Sequence, residues 1–308
     1  MPLLRINATT RGLRLHGQDR SFGQSVSATL AEAAHAGGPA VIMVHGYKYS
    51  PFVAGRCPHG RIFRADAWPK GLDLASNAGL GIAFGWHARG GLATAYDTAI
   101  NQAAQMAQLV SALRCTWPVH IIAHSLGATL VLAALPYLRS GDVGRIVLLS
   151  GAAHTGLAHH ALQSPAGQDC TLFHVTSGEN LLFDLGFEHM IPGSGAIGRG
   201  LDSPRALRIP IDCAPTLAAL AGLGFALAPP QRRVCHWSSY TRAGVMALNG
   251  ALLSGALPLE HLRAALPVPC ARRWTLALAL KTRIMARAGR ATAAPQDSTK
   301  GTPHGHAI

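Results

Sequence analysis

The chain has few charged residues and no apolar run long enough to span a bilayer, and both absences exclude classes of protein. Only 13% of its 308 residues are charged while 49% are hydrophobic. This balance excludes an intrinsically disordered chain and predicts a compact globule with a substantial core. An uncharged stretch at residues 213–231 is interrupted by Pro215, Pro229 and Pro230, so it falls short of the roughly 20 apolar residues that a transmembrane helix needs.

Paired cysteines and a signal-peptide core are also missing. The six cysteines are scattered, with no C-x-x-C pair, which indicates buried or free thiols rather than a disulfide framework. The start of the chain, MPLLRIN, lacks the apolar stretch of a secretory signal. We therefore expect a cytoplasmic protein.

Acidic residues are scarce relative to basic ones. Lys and Arg number 27 against 14 Asp and Glu, a formal net charge of +13, and such a field favours anionic partners. No dense basic run with interleaved aromatic residues is present, so we expect no nucleic-acid partner. Residues 272–290 alternate basic with apolar side chains. They are predicted to form a solvated terminal helix, with peripheral contact to an anionic membrane as the alternative.

Short apolar runs alternate with helical patterns along most of the chain. The runs predicted to be buried strands lie at residues 40–44, 81–84, 119–123, 146–149 and 172–175, with a further candidate at 205–211. Periodicity predicts a helix over residues 92–113 and a closing helix over 238–253. The alternation predicts an α/β fold, a parallel sheet covered by helices on both faces. We expect one domain over residues 1–290, in which residues 213–231 either cap the site or pack into the core, and a disordered tail over 291–308.

The most informative segment is a β-branched run at residues 119–123 that leads into His124-Ser125-Leu126-Gly127, with a Leu/Ala-rich helical pattern after it. A sharp strand-to-helix turn needs small residues on both sides of its centre, because neighbouring backbone comes very close. The pattern is typical of a nucleophile elbow, which presents a serine hydroxyl above a parallel sheet. Ser125 is the predicted nucleophile, with a purely structural turn as the alternative.

A serine hydroxyl needs a histidine to remove its proton. Of the 16 histidines, we favour His236 because it follows the last candidate strand and immediately precedes the closing helix. His124 lies within the turn and His154 follows the next strand, so both are expected to be structural or pocket-lining residues.

Acyl transfer also builds negative charge on the substrate carbonyl oxygen, and preorganised backbone N–H groups must meet it. One donor is predicted to be the amide of Leu126, directly after the nucleophile. The second is predicted to be the amide of Tyr47, which follows His45-Gly46 at the end of an apolar strand. An ordinary glycine-containing turn is the alternative there.

Two carboxylates are candidates for orienting the histidine. Glu179 lies in the loop directly after the strand at residues 172–175 and is the first choice. Asp184 follows it closely as the second choice, although an acidic residue near a helix start has a structural explanation. Either one gives the chain order Ser, acid, His, which is the order of α/β-hydrolases and differs from those of chymotrypsin and subtilisin.

Three motifs, VHGYK at residues 44–48, AHSLG at 123–127 and CHWSSY at 235–240, resemble the α/β-hydrolase superfamily over about residues 38–255. Within it they resemble a group of uncharacterised bacterial serine-hydrolase-like proteins. The resemblance implies an α/β-hydrolase fold with a roughly eight-stranded, mostly parallel sheet, a Ser-His-acid triad and no cofactor.

We therefore expect a serine hydrolase that cleaves a carboxylic ester or related small-molecule acyl substrate through an acyl-enzyme. Acyl transfer to an alcohol or amine is one alternative. A catalytically silent binding or interaction protein that keeps the elbow for packing is the other. Cys57 and His59 lie two residues apart, but no second ligand pair accompanies them, so no metal is expected.

Overall fold

The computed structural model describes residues 3–17, 38–114, 116, 118–201 and 203–267. The basic stretch predicted at residues 272–290 and the tail predicted over 291–308 lie outside this part of the chain. No helix within it combines the length and apolar character that crossing a bilayer requires.

Eight strands form a single sheet in the order β2-β1-β4-β3-β5-β6-β7-β8. Their bounds are β1 Leu3–Thr9, β2 Gly12–Leu15, β3 Ala40–Val44, β4 Leu80–Gly85, β5 Val119–His124, β6 Arg145–Leu149, β7 Thr171–Thr176 and β8 Ala206–Pro210. Among the described strands of this sheet, only the pairing of β1 with the edge strand β2 is antiparallel. The predicted mostly parallel sheet of about eight strands is confirmed.

The helices follow and cover the strands. They are α1 Trp68–Gly71, α2 Leu74–Asn77, α3 Leu92–Asn101, α4 Ala103–Leu113, α5 Gly127–Ala134, α6 Thr155–Gln163, α7 Pro165–Asp169, α8 Leu181–Met190, α9 Ala214–Gly222, α10 Ser238–Thr241, α11 Val245–Ser254 and α12 Leu259–Ala265. Short 3₁₀ turns lie at Pro58–Gly60, Leu135–Tyr137, Gly178–Asn180 and Ile197–Arg199.

Every residue of the central strands β3, β4 and β5 is buried, because both faces of the sheet are covered. Successive side chains of a strand point to opposite faces. Ile42 and Ile121 accordingly belong to the core cluster on the face that holds α5. Their neighbours Val41 and Ile122 belong to the cluster that holds α11. Strands buried on both faces read as continuous apolar runs, which is why these three could be predicted.

Two predicted helices are each divided in the structure. The helix predicted over residues 92–113 breaks at Gln102, between α3 and α4. The closing helix predicted over 238–253 breaks before α11, where Gly244 has φ 82°. Strands β1 and β2 were not predicted at all.

The uncharged stretch at residues 213–231 contains α9. Leu220 is fully buried in the core cluster that holds α11, and Phe225 packs against the same cluster. These two residues contribute to the core.

Candidate active site

The turn between β5 and α5 is strained at its centre. Ser125 has φ 54°, a left-handed conformation that residues other than glycine seldom adopt. Its backbone is held on both sides: its N–H donates to Leu149 O (3.1 Å), and its carbonyl accepts from the amides of Ala128 (2.9 Å) and Ala152 (3.0 Å). Such strain persists only where the surroundings over-determine it, and it places Ser125 at the carboxyl edge of the sheet.

The glycines beside this turn allow a very close approach of backbone. A Cβ on Gly46 would lie 2.5 Å from Ser125 Cβ, and one on Gly127 would lie 2.8 Å from the carbonyl oxygen of His45. Side chains are therefore excluded at both positions, as the elbow pattern requires. The chain has the α/β-hydrolase fold.

The predicted nucleophile and base lie within hydrogen-bond distance of each other. His236 Nε2 is 2.9 Å from Ser125 Oγ. Two hydrogen bonds fix the loop that carries His236. The backbone carbonyl of His236 accepts from His124 Nε2 (3.0 Å), and the amide of Cys235 donates to Glu179 O (2.9 Å). His124, expected to be structural or pocket-lining, thus holds the histidine loop in place.

The partner of the other imidazole nitrogen is an amide, and this corrects the sequence prediction. His236 Nδ1 donates to Asn180 Oδ1 at 2.6 Å, where Glu179 was expected. Asn180 Nδ2 in turn donates to Asp184 Oδ1 at 2.8 Å. Asp184, the second candidate, is thus placed behind the amide that contacts the imidazole.

Glu179 contacts other groups because it precedes Asn180 in the 3₁₀ turn Gly178–Asn180, in which consecutive side chains point in different directions. Its carboxylate forms a buried ion pair with Arg242 (3.3 Å) and accepts from Ser177 Oγ (3.0 Å). A signal that could have identified Asn180 is its position in the same post-strand turn as Glu179.

The electrostatics keep His236 in the form that a general base needs. Burial, with a smaller effect from His124, lowers the pKa of His236 well below its usual value. Burial likewise lowers the pKa of His124 to about 4. At neutral pH His236 is uncharged, its proton is on Nδ1 facing Asn180, and Nε2 can accept the hydroxyl proton of Ser125.

A second buried histidine positions the loop of the predicted oxyanion site. Burial lowers the pKa of His45 to about 4, so the ring is neutral. Its Nδ1 donates to the carbonyl of Gly46 (2.9 Å) and its Nε2 accepts from the amide of Trp86 (3.1 Å). Because a peptide unit is planar, fixing the Gly46 carbonyl also fixes the direction of the Tyr47 N–H.

The two predicted oxyanion donors are available. Within the described part of the chain, neither the amide of Tyr47 nor that of Leu126 donates to a protein acceptor. Leu126 lies at the start of α5, where the first N–H groups of a helix have no internal partner.

Two exposed aromatic side chains lie beside His236. The Phe183 ring stacks on the imidazole with centroids 4.5 Å apart and an interplanar angle of 24°, yet 40% of Phe183 is exposed. The Trp237 ring lies 6.2 Å from the imidazole, centroid to centroid, and is also exposed. Phe183 and Trp237 are called the apolar rim below.

The remaining candidates lie elsewhere. His59 is buried and donates from Nε2 to Asn7 Oδ1 on β1 (2.7 Å), which anchors its loop to the sheet. His154 packs against Tyr96 and Phe187. Across the described residues, no group of His, Cys, Asp or Glu is arranged to hold a metal ion.

Comparison with known proteins finds structural similarity only. No protein-family model matches the chain, and no curated protein matches it. A mature Bacillus licheniformis lipase, BlEst2, is 14% identical with a TM-score of 0.36, covering 56% of this chain and 82% of the lipase. A lipase-esterase related protein from Clostridium acetobutylicum is 10% identical with a TM-score of 0.32, covering 57% and 86%.

An acetyl xylan esterase is 13% identical with a TM-score of 0.33, covering 75% of this chain and all of the esterase. Identities and TM-scores this low say nothing about substrate. The fold assignment rests on the chain's own sheet and on its strained elbow.

Proposed function

We propose that the protein is a serine hydrolase that cleaves carboxylic esters or related acyl compounds through an acyl-enzyme. The observation that carries the proposal is the 2.9 Å separation of His236 Nε2 from Ser125 Oγ, with the serine held at φ 54° in an elbow. An elbow kept only for packing would not require a neutral imidazole aligned on its hydroxyl.

In the proposed mechanism, Ser125 Oγ attacks the substrate carbonyl carbon while His236 Nε2 takes the hydroxyl proton. The amides of Tyr47 and Leu126 receive the oxyanion. The imidazolium then protonates the leaving oxygen, and the carbonyl carbon–oxygen bond to it breaks. Water attacks the acyl-enzyme, His236 takes its proton, and the same proton returns to Ser125 as the acid leaves.

The apolar rim supports a substrate with an apolar acyl or alcohol group. Phe183 and Trp237 are 40% and 48% exposed beside the imidazole, and large aromatic residues left in water next to a reactive group are typical of a ligand site. An ester with an apolar chain would cover them on binding.

Replacement of Ser125 by alanine tests the proposed function. We expect hydrolysis of short p-nitrophenyl esters to fall by at least about 10⁴-fold, because loss of a triad nucleophile has effects of that size or larger. Ser150→Ala is the matched control, since Ser150 follows β6 as Ser125 follows β5 and also has positive φ (44°). Equal turnover by Ser125→Ala and the wild type, both folded, contradicts the proposal.

A further inference from the structure

At the place expected for the acid of the triad, the neutral amide of Asn180 contacts His236. The buried carboxyl group of Asp184 lies behind that amide and contacts it in turn. Asn180 Oδ1 accepts from His236 Nδ1 at 2.6 Å, and Asn180 Nδ2 donates to Asp184 Oδ1 at 2.8 Å. Asp184 lies one helical turn after Asn180, on α8. The two hydrogen bonds therefore join His236 to a buried carboxyl group through one side-chain amide.

An amide side chain can present either its oxygen or its nitrogen to a neighbour, and only one choice suits a general base. Asn180 must direct Oδ1 toward His236 so that the imidazole keeps its proton on Nδ1 and leaves Nε2 free to accept. A carboxylate can only accept hydrogen bonds. With Asp184 on its other side, Asn180 can satisfy both neighbours only by turning Nδ2 to the carboxylate and Oδ1 to the imidazole.

The surrounding fold fixes the position of the Asp184 side chain. Asp184 is 2% exposed, and a Cβ on Gly198 would come within 2.5 Å of Asp184 Oδ2.

We propose that Asp184 is a positioning residue for the hydrolase reaction: it sets the orientation of the Asn180 amide, and through it the tautomer and the charge stabilisation of His236. This proposal rests on the proposed function. When Ser125 gives up its proton, the imidazolium forms in a buried setting beside the neutral His124 ring, with centroids 4.6 Å apart. Chains of hydrogen bonds polarise one another, so the carboxylate increases the negative charge that Asn180 Oδ1 presents to the imidazolium.

Two other carboxylates of the described residues near the site are paired with arginines. On the loop after β7, the Glu179 carboxylate pairs with Arg242 from the closing segment. On α8, Glu188 pairs with Arg199. His124, at the end of β5, faces the imidazole ring of His236. Cys235 directly precedes His236 in the chain.

The first test replaces the carboxylate of Asp184 by an amide. Asp184→Asn removes the charge and lets Asn180 turn over, so we expect kcat/KM to fall on the order of 10- to 100-fold, the range for loss of an outer hydrogen-bond partner of a functional histidine. The acidic limb of its pH profile should move to lower pH, because an imidazolium without a nearby negative charge loses its proton more easily. Glu188→Gln on the same helix is the matched control, with an unchanged limb.

The double variant Asn180→Asp/Asp184→Asn places the carboxylate directly on His236 with the amide behind it. We expect it to recover most of the lost kcat/KM and to move the acidic limb to higher pH than in the wild type. Gly198→Ala, which displaces the Asp184 side chain, should change both quantities in the same direction as Asp184→Asn.

Unchanged kcat/KM and pH limb in folded Asp184→Asn would overturn the proposal, as would a folded double variant no more active than the single one. If Asp184→Asn does not fold, the double variant decides by the same two readouts. Failure of the proposed function gives a different result, because the wild type would then show no Ser125-dependent hydrolysis to be modulated.

Discussion

Individual residues in this protein take on conformations and protonation states that only the surrounding fold makes possible. Ser125 keeps φ 54° because backbone hydrogen bonds hold it on both sides. His45, His124 and His236 stay neutral because burial lowers their pKa values. The three neutral imidazoles differ in what they contact: His45 holds the loop of the proposed oxyanion site, His124 holds the loop that carries His236, and His236 faces Ser125, the proposed nucleophile.

Replacement of His45 by phenylalanine tests its part in fixing the oxyanion loop. The variant loses the hydrogen bonds to Gly46 O and Trp86 N, so the Tyr47 amide is no longer directed at the oxyanion. We expect kcat to fall by about 10²- to 10³-fold, as on loss of one oxyanion donor, with KM little changed.

His120→Phe is the control for that experiment, because His120 is also buried but lies at the opposite end of β5 from Ser125. Steady-state kinetics and thermal melting of both variants separate a catalytic effect from a general loss of stability. A His45→Phe variant with wild-type kcat would show that the oxyanion is stabilised elsewhere.

At the scale of elements, the sequence reveals the central strands and the edge strand β8 but conceals the other edge of the sheet and the breaks in two helices. Strands β3 to β7 read as apolar runs because they are buried on both faces. The edge strand β2 and its neighbour β1 have polar residues between apolar ones, as in LLRINAT, and such short alternation is a weaker signal. The break at Gln102 leaves the apolar spacing of α3 and α4 intact, so periodicity alone could not show it.

The candidate site shows the same limit of prediction from sequence. Ser125 and His236 could be predicted because each follows or precedes a recognisable element in the order the fold requires. Which residue of a post-strand turn faces the histidine depends on backbone direction in the 3₁₀ turn Gly178–Asn180, and spacing does not encode that direction. The sequence therefore favours Glu179 where Asn180 makes the contact, and it does not reveal the hydrogen bond between Asn180 and Asp184.

At the scale of the whole molecule, the buried neutral histidines link stability to pH. Burial lowers the pKa of His45, His120 and His124 to about 4 and that of His59 to about 2. An unfolded histidine has a pKa of about 6.5, so below that pH the unfolded chain binds protons that the fold excludes. Stability is full above about pH 6.5 and falls as pH drops toward 4, by up to about 1.4 kcal/mol per pH unit for each such group.

Urea unfolding between pH 7.5 and 5 measures this dependence. We expect the free energy of unfolding to decrease steadily with pH over that range, and His120→Phe to show a shallower decrease because one titrating group is gone. A free energy of unfolding that does not change between pH 7.5 and 5 would show that these rings take up protons in the folded protein.

The central claim is that Ser125 is a nucleophile activated by His236, and covalent labelling with a fluorophosphonate tests it most directly. With the attachment site located by peptide mass spectrometry, the account predicts phosphonylation of Ser125 in the wild type and in Ser150→Ala. It predicts none in Ser125→Ala and strongly slowed labelling in His236→Ala. A folded wild-type protein that is not labelled, or that is labelled at another serine, would contradict it.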